Sequence, residues 1–271
     1  SCIIYLKRQD CYMLDVIRNI YPIKALRKIK YESKFKKSRE RNLFKGIYKT
    51  FEEAEKDLPK DFNKGYDNED SANMYKNQCK TINPSDYPNL LWLSKILEEG
   101  SSVFDLGGHI GVKYYSYQNY INFPKSYNWT VYDVPAVVEE GKNFSEKNKT
   151  KNLSFSNNIK GFDGVDTLLL SGSLQYMNFD IAKELKSVIK KPKNIIISIA
   201  LTHLDTFYTV NNIGTSYCVY VLRNEKKFIK DIEDAGYKLV DKWRNEGKKC
   251  EIPFYPDHSI DGYRGLYFRS K

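Results

Sequence analysis

Asp105-Leu106-Gly107-Gly108-His109-Ile110-Gly111 sets a carboxylate ahead of a glycine turn, and a second carboxylate, Asp133, follows 22 residues after Gly111. A dinucleotide-phosphate loop requires Gly-x-Gly-x-x-Gly. Here His109 stands where the second glycine falls, which disfavours a nicotinamide or flavin cofactor. S-adenosylmethionine (SAM) makes a different demand: it carries an ammonium, a carboxylate, a sulfonium and a ribose, but no pyrophosphate. On this reading Asp105 compensates the ligand's positive charge. Gly107 and Gly108 let the backbone turn and approach the ligand, and a helix opening at Gly111 aims N–H groups at its carboxylate. Asp133 accepts the ribose hydroxyls, as a strand-end acid does in other nucleotide-binding α/β folds, with Val134 beside it. The competing reading makes both aspartates turn formers at strand ends.

Further candidates lie downstream. Asn157 and Asn158 follow a third strand, where one reading has them meet the adenine edge with Phe155 stacked on it, and the other makes them ordinary loop residues. Ser171, Gly172, Gln175 and Tyr176 follow a fourth strand, whose end should face the sulfonium and the methyl acceptor. That loop lacks the Asn/Asp-Pro-Pro-aromatic pattern of enzymes that methylate exocyclic base amines. A hydroxyl acceptor needs a base within hydrogen-bond reach, whereas a phosphate-type oxygen is already anionic. His203, oriented by Asp205, is the first candidate base and His258 the second; Tyr176 is a further catalytic candidate. Phe207–Gly214 with Tyr217 and Tyr220 is expected as an acceptor-side lid. Arg223, Arg244 and Arg264 are candidates to pair with an acidic or phosphorylated acceptor. The histidines and cysteines have no metal-ligand spacing, so no metal is expected.

These residues need strands and helices in alternation, and the chain supplies them. Apolar strand patterns occur at 103–106, 129–132, 153–155, 166–170, 194–200, 237–243 and 266–269, with helical patterns at 111–121, 135–148, 179–190 and 226–235 between them. Asn194–Ala200 (NIIISIA) is the continuous β-branched run of a buried parallel strand. The expected fold is therefore α/β: a seven-stranded, mostly parallel sheet with helices on both faces. A helix is expected over Ser85–Glu99, closed by Gly100. We place the domain boundary at residue 84, with 1–84 as a basic helical extension and 85–271 as the ligand-binding domain. Thr50 with Glu53 reads as a capping box.

The 271 residues carry a net charge of +10, and residues 1–50 hold 14 Lys and Arg against 4 Asp and Glu. The remainder is therefore neutral, which argues against a nucleic-acid clamp in the ligand-binding part. An RNA methyltransferase gripping through the basic N-terminus stays as an alternative, as does a SAM-binding scaffold without activity. Residues 11–30 alternate apolar and basic side chains at helical spacing, interrupted by Pro22. Two readings stand: a helix packed on its own domain with a solvated basic face, or a basic amphipathic element touching an anionic membrane surface or a partner. The charge run 31–43 is expected as a linker. No apolar run reaches 18 residues, so no spanning helix is expected, and the first apolar stretch is too short for a signal peptide. Five widely spaced cysteines read as free thiols of the cytoplasm.

Taken together, VFDLGGHIG (103–111), WTVYDVP (129–135), VDTLLLSGSLQYM (165–177) and GYKLVDKW (236–243) resemble a family of class I SAM-dependent methyltransferases often encoded among bacterial capsule and lipopolysaccharide genes. FKGIYKTFEEAEK (44–56) is similar to that family's N-terminal entry segment, so the resemblance spans about Phe44 to Arg269. It implies the class I methyltransferase sheet, SAM as cofactor, and contacts at Asp105, Gly107, Gly108, Gly111 and Asp133. His109 departs from the small residue expected in that loop. The acceptors of that family are largely unassigned; a polar or anionic saccharide precursor is the expected acceptor here, and no nucleic acid is expected.

Overall fold

The computed structural model describes residues 21–40 and 42–271. Apolar segments become the strands of the main sheet, buried at its centre and half-exposed at its edges: β2 (Ser101–Leu106), β3 (Tyr127–Tyr132), β4 (Leu153–Ser156), β5 (Thr167–Ser171), β6 (Asn194–Ile199), β10 (Tyr237–Asn245) and β11 (Tyr263–Ser270). Their order is β10-β11-β6-β5-β2-β3-β4. Pairs from β4 to β6 are all parallel, and β11 runs antiparallel to both its neighbours. This is the seven-stranded, mostly parallel sheet expected for the class I methyltransferase fold. The chain runs outward from β2 to β4, then returns to β5 on the other side. The carboxyl ends of β2 and β5 therefore flank the switch point at which such sheets bind ligands.

Helices cover both faces. On one side α4 (Tyr87–Ile96) and α5 (Val112–Tyr117) pack with Leu93, Tyr117 and Trp129 in a core that reaches Tyr267. On the other, α7 (Ile181–Ser187) and α8 (Glu225–Glu233) bury Leu185 and Ile232 against Leu168, Ile195 and Ile197. Helix α6 (Pro135–Lys147) opens on Pro135, a position that loses no hydrogen bond to proline. The helix expected over 111–121 is shorter than its apolar pattern: regular structure stops at Tyr117.

The N-terminal part departs from a helical extension. Half of the pattern expected over 11–30 lies outside the described residues. From Tyr21 to Lys37 the chain is α1, so part of the expected linker is helical. Then β1 (Leu43–Tyr48) adds to a hairpin of β8 (Phe207–Asn212) and β9 (Tyr217–Asn224), with β7 (Leu201–Thr202) on the far edge. The stretch expected as a lid is thus two paired strands of a second sheet. Helix α2 (Phe51–Lys56) is capped by Thr50, whose Oγ1 accepts from the Glu53 N–H at 3.2 Å. The Asn212 side-chain amide donates to the carbonyls of Phe35 and Ser38 at 2.8 and 3.0 Å, and the Tyr217 hydroxyl donates to that of Lys36 at 3.0 Å. These bonds satisfy the carbonyls that α1 leaves open at its end. No helix among the described residues is long and apolar enough to cross a membrane.

Candidate functional site

A cleft of about 1050 Å³ opens at the carboxyl ends of β2, β3 and β5, and its wall includes Asp105, Gly107, Gly108, His109, Asp133 and Val134. Such a volume is large enough for a nucleotide and a second small molecule together. Asp105 is 1% exposed, and its Oδ2 accepts from the Trp129 indole N–H at 3.3 Å. Burial pushes its pKa up to about 7; Trp129 and Lys113 oppose the rise and the Asp133 charge adds to it. Burial likewise raises Asp133 to about 6, against the two backbone N–H groups, of His109 and Val134, that its carboxylate accepts at 2.9 and 2.8 Å. A carboxylate has about four lone-pair positions, so Asp133 keeps acceptor capacity for two hydroxyls.

The glycines are there for space as well as conformation. A Cβ on Gly108 would lie 2.4 Å from the Asp105 carboxylate, and one on Gly107 would lie 2.3 Å from Ser173 Cβ. Ser173 in turn donates its hydroxyl to the Leu106 carbonyl at 2.5 Å, which locks the loop after β5 to the loop after β2. His109 has φ of 58°, a left-handed conformation that histidine tolerates better than most side chains. Its ring is buried, meets Tyr75 edge-on at 4.7 Å, and lies with Nε2 2.9 Å from the Ser71 carbonyl. The unexpected histidine therefore ties the glycine loop to the N-terminal segment that includes α3 (Glu69–Asn73).

Ser171, Gly172, Gln175 and Tyr176 line the adjoining part of the cleft. Gln175 is buried; its amide donates to the Gly172 carbonyl at 2.6 Å, while its Oε1 has no partner among the described residues. Tyr176 donates to Asn211 Oδ1 at 3.2 Å and packs edge-on against Tyr66 and Tyr220, each with ring centroids 5.2 Å away. Tyr263 also faces the cleft and shares a hydrogen bond with Tyr220. Burial holds the phenols of Tyr66, Tyr176 and Tyr263 well above the usual tyrosine range, so this wall offers neutral hydroxyls.

Six expected site residues lie elsewhere. His203 is exposed beyond β7, and neither it nor His258 walls the cleft. His258 packs edge-on against Phe207 at 5.0 Å. After β6 the chain builds the second sheet, whose Tyr217, Cys218 and Val219 still wall the cleft while His203 lies outside it; His258 sits in the loop between β10 and β11. Asn157 donates to the Asp133 carbonyl at 2.9 Å, and Asn158 caps the following turn by accepting from the Lys160 N–H at 3.1 Å. Both side chains serve the loop. Phe155 is wedged under α6, where a Cβ on Gly141 would meet its ring at 2.3 Å, so it packs on a helix and does not stack on a ligand. Gly111 caps α5 at φ 87° and is not part of the wall.

The arginines divide similarly. Arg223 donates to the carbonyls of Leu174, Met177 and Phe179, fixing the loop after β5 from behind. Arg264 pairs with Glu225 at 3.1 Å. Only Arg244 reaches the cleft, and it also pairs with Asp261 at 2.5 Å. Sequence reasoning missed Tyr66, Tyr75, Lys113 and the turn Asn245–Lys249, all of which line the cleft. For the first two the available signal was aromatic residues inside an otherwise polar stretch. For the last it was a basic Gly-containing turn after a strand. Among the described residues, no group of three His, Cys, Asp or Glu side chains is arranged to hold a metal ion.

The chain matches no protein-family model and no curated protein sequence. Among solved structures it is similar to 1,6-didemethyltoxoflavin-N1-methyltransferase from Burkholderia thailandensis, seen with 1,6-didemethyltoxoflavin and S-adenosylhomocysteine. The identity is 15% and the TM-score 0.48, covering 74% of this chain and 83% of that one. Magnesium protoporphyrin IX methyltransferase from Synechocystis PCC 6803, with bound SAM, overlaps at 14% identity and a TM-score of 0.46, covering 69% of this chain and 78% of the other. The cyclase SpnF overlaps at 10% identity and a TM-score of 0.49, covering 68% and 80%. Overlaps this weak lend no support to a shared activity. The fold assignment rests on strand order, and the site on its own side chains.

Proposed function

We propose that this protein is a SAM-dependent methyltransferase that methylates an oxygen of a polar small molecule, a precursor of a bacterial surface polysaccharide. One observation carries the reading: Asp105 and Asp133, at neighbouring strand ends and separated by a glycine turn, wall a single cleft. Asp133 would hold the ribose hydroxyls. Asp105, whose pKa is pushed up by burial, is stabilised as the carboxylate by a cationic ligand. Gln175 has a buried carbonyl that lacks a donor, which a ligand ammonium or hydroxyl would supply. When bound, SAM supplies an electrophilic methyl group on a sulfonium. The protein's own residues orient the acceptor, and the second sheet shields the cleft from water.

The neutral tyrosine wall and the absence of His203 and His258 from the cleft favour an acceptor oxygen that needs no base, a phosphate or carboxylate. Tyrosines also suit a polar, ring-shaped ligand. The link to surface polysaccharides rests on the sequence resemblance. Thermal-shift titration with SAM, S-adenosylhomocysteine (SAH) and NAD is the first test: SAM and SAH should raise the melting temperature and NAD should not. Stabilisation by NAD alone would overturn the reading. Mass spectrometry of phosphorylated and uronic-acid sugars after incubation with methyl-labelled SAM then reads the transfer itself.

A further inference from the structure

The cleft wall includes four cations: Lys113 on the first turn of α5, Arg244 near the end of β10, and Lys248 and Lys249 on the turn after it. Two of these cations are already engaged. Lys113 Nζ lies 2.5 Å from Asp86 Oδ1, a carboxylate 2% exposed, and Arg244 pairs with Asp261. Burial alone would raise the Asp86 pKa, but Lys113, the Asn83 N–H and the Tyr117 hydroxyl hold it below the usual carboxylate range. Asp86 is thus committed to its own network. No salt bridge to Lys248 or Lys249 is formed among the described residues.

Lys248 is exposed and lines the cleft. Burial, and then the Lys113 ammonium, hold its pKa below the usual lysine range, with Asp86 opposing. Lys113 faces the buried carboxylates of Asp86 and Asp105 while Lys248 has only the more distant influence of Asp86, so the two cations still repel, and a bound anion relieves that repulsion. The turn itself is anchored: Asn245 is buried and donates to Ser198 Oγ at 2.9 Å, and the Lys248 N–H donates to the Asn245 carbonyl at 3.2 Å. The only carboxylate that this turn adds to the cleft wall is Glu246.

We infer that Lys248, Lys249 and Lys113 form an anion-binding subsite at the acceptor end of the cleft, and that the methyl acceptor is held there by a phosphate or carboxylate. The inference rests on the methyltransferase reading for the word acceptor, but not for the site. With an anionic oxygen as nucleophile, the O–C bond forms as the S–C bond breaks. The bonding pair stays on sulfur and no proton is released.

The test is isothermal titration of the SAH-saturated protein, at low salt, with glucose 6-phosphate, glucuronate and glucose. The subsite predicts that at least one charged sugar binds about tenfold more tightly than glucose, and which one it is distinguishes phosphate from carboxylate. The double variant Lys248→Gln, Lys249→Gln should lose most of that preference. It should keep its SAH affinity, and Lys147→Gln on the exposed face of α6 should behave as wild type. Lys113 is left in place because its removal would strand Asp86 as a buried, uncompensated charge. Equal binding of all three sugars would overturn the inference, as would an unchanged preference in the double variant. A parallel loss of SAH affinity would assign the lysines to the cofactor's carboxylate and also overturn it. If SAH itself fails to bind, the cofactor reading falls, and the same sugar titrations on the unliganded protein still decide the subsite.

Discussion

Asp105→Asn should stabilise the unliganded protein while weakening its hold on SAM, and the size of the gain should depend on pH. The carboxyl of Asp105 is buried and titrates at about 7 where 3.8 is ordinary. Between those values the folded state binds more protons than the unfolded one, so stability falls as pH rises through the window and is level above it. Taken at face value the ionised carboxylate costs the apoprotein about 4 kcal/mol above pH 7; water entry and local relaxation reduce this to roughly 2–4 kcal/mol. Asparagine keeps an oxygen for the Trp129 N–H and does not ionise. The variant should therefore gain about 2 kcal/mol more over wild type at about pH 8 than at about pH 5. For a domain of this size that is a difference of roughly 4–8 °C in melting temperature. Urea denaturation of both proteins at the two pH values measures it, with ionic strength held constant. A gain that is the same at both pH values, or a variant less stable at the higher one, would refute the assignment of a destabilised carboxylate. SAH titration of the same samples should show the opposite trade, with affinity lost where stability is gained.

Three further outcomes follow from the geometry. SAM affinity of the wild type should rise with pH through about 6 to 7, as Asp133 and Asp105 lose their protons; calorimetry giving a flat profile would remove both acids from the pocket. Gly108→Ala places a Cβ 2.4 Å from the Asp105 carboxylate, so SAH affinity should fall at least about tenfold, with about 1–3 kcal/mol of destabilisation, both readable by thermal shift with and without SAH. His203→Ala and His258→Ala should each leave methyl transfer within about twofold of wild type, since a base must lie within hydrogen-bond reach of its proton; a loss of about a hundredfold in either would restore that histidine as the base.

The half of the site above β2 and β3 was legible because its signals are local. A carboxylate, a glycine turn and a strand-end acid are fixed by neighbours in sequence, and each strand carries its own apolar run. Asp105, Gly107, Gly108 and Asp133 share one cleft for that reason. The other half was not legible, because it is built by long-range pairing. His203 and His258 looked well placed on the assumption that the chain after β6 stays over the sheet. Instead Phe207–Asn212 pairs with Leu43–Tyr48 from the far end of the chain on one side and with Tyr217–Asn224 on the other, as a second sheet. Nothing in the spacing of those segments announces their register. Tyr66 and Lys248 reach the cleft by the same kind of distant association. Asn157 and Asn158 failed for a different reason: short polar side chains at a strand end satisfy their own backbone as readily as a ligand.

The tie between the second sheet and the N-terminal segment bears on how the cleft works. Tyr217, which walls the cleft, donates to the end of α1, and its neighbour Asn212 is buried with its amide on the same two turns. On the opposite wall His109 lies against the Ser71 carbonyl, and Asp67 accepts from the first turn of α6 at 2.8 Å. The N-terminal segment thus touches the glycine loop, the helix after Asp133 and the hairpin of the second sheet. It also gives Tyr66, Tyr75 and Gln78 to the cleft wall. A cleft bounded on one side by a sheet common to many proteins, and on the other by segments particular to this chain, divides its tasks accordingly. On the proposed reading the sheet edge would hold the nucleoside, and acceptor choice would fall to the cleft-lining residues of segments 42–85, 213–219 and 243–249.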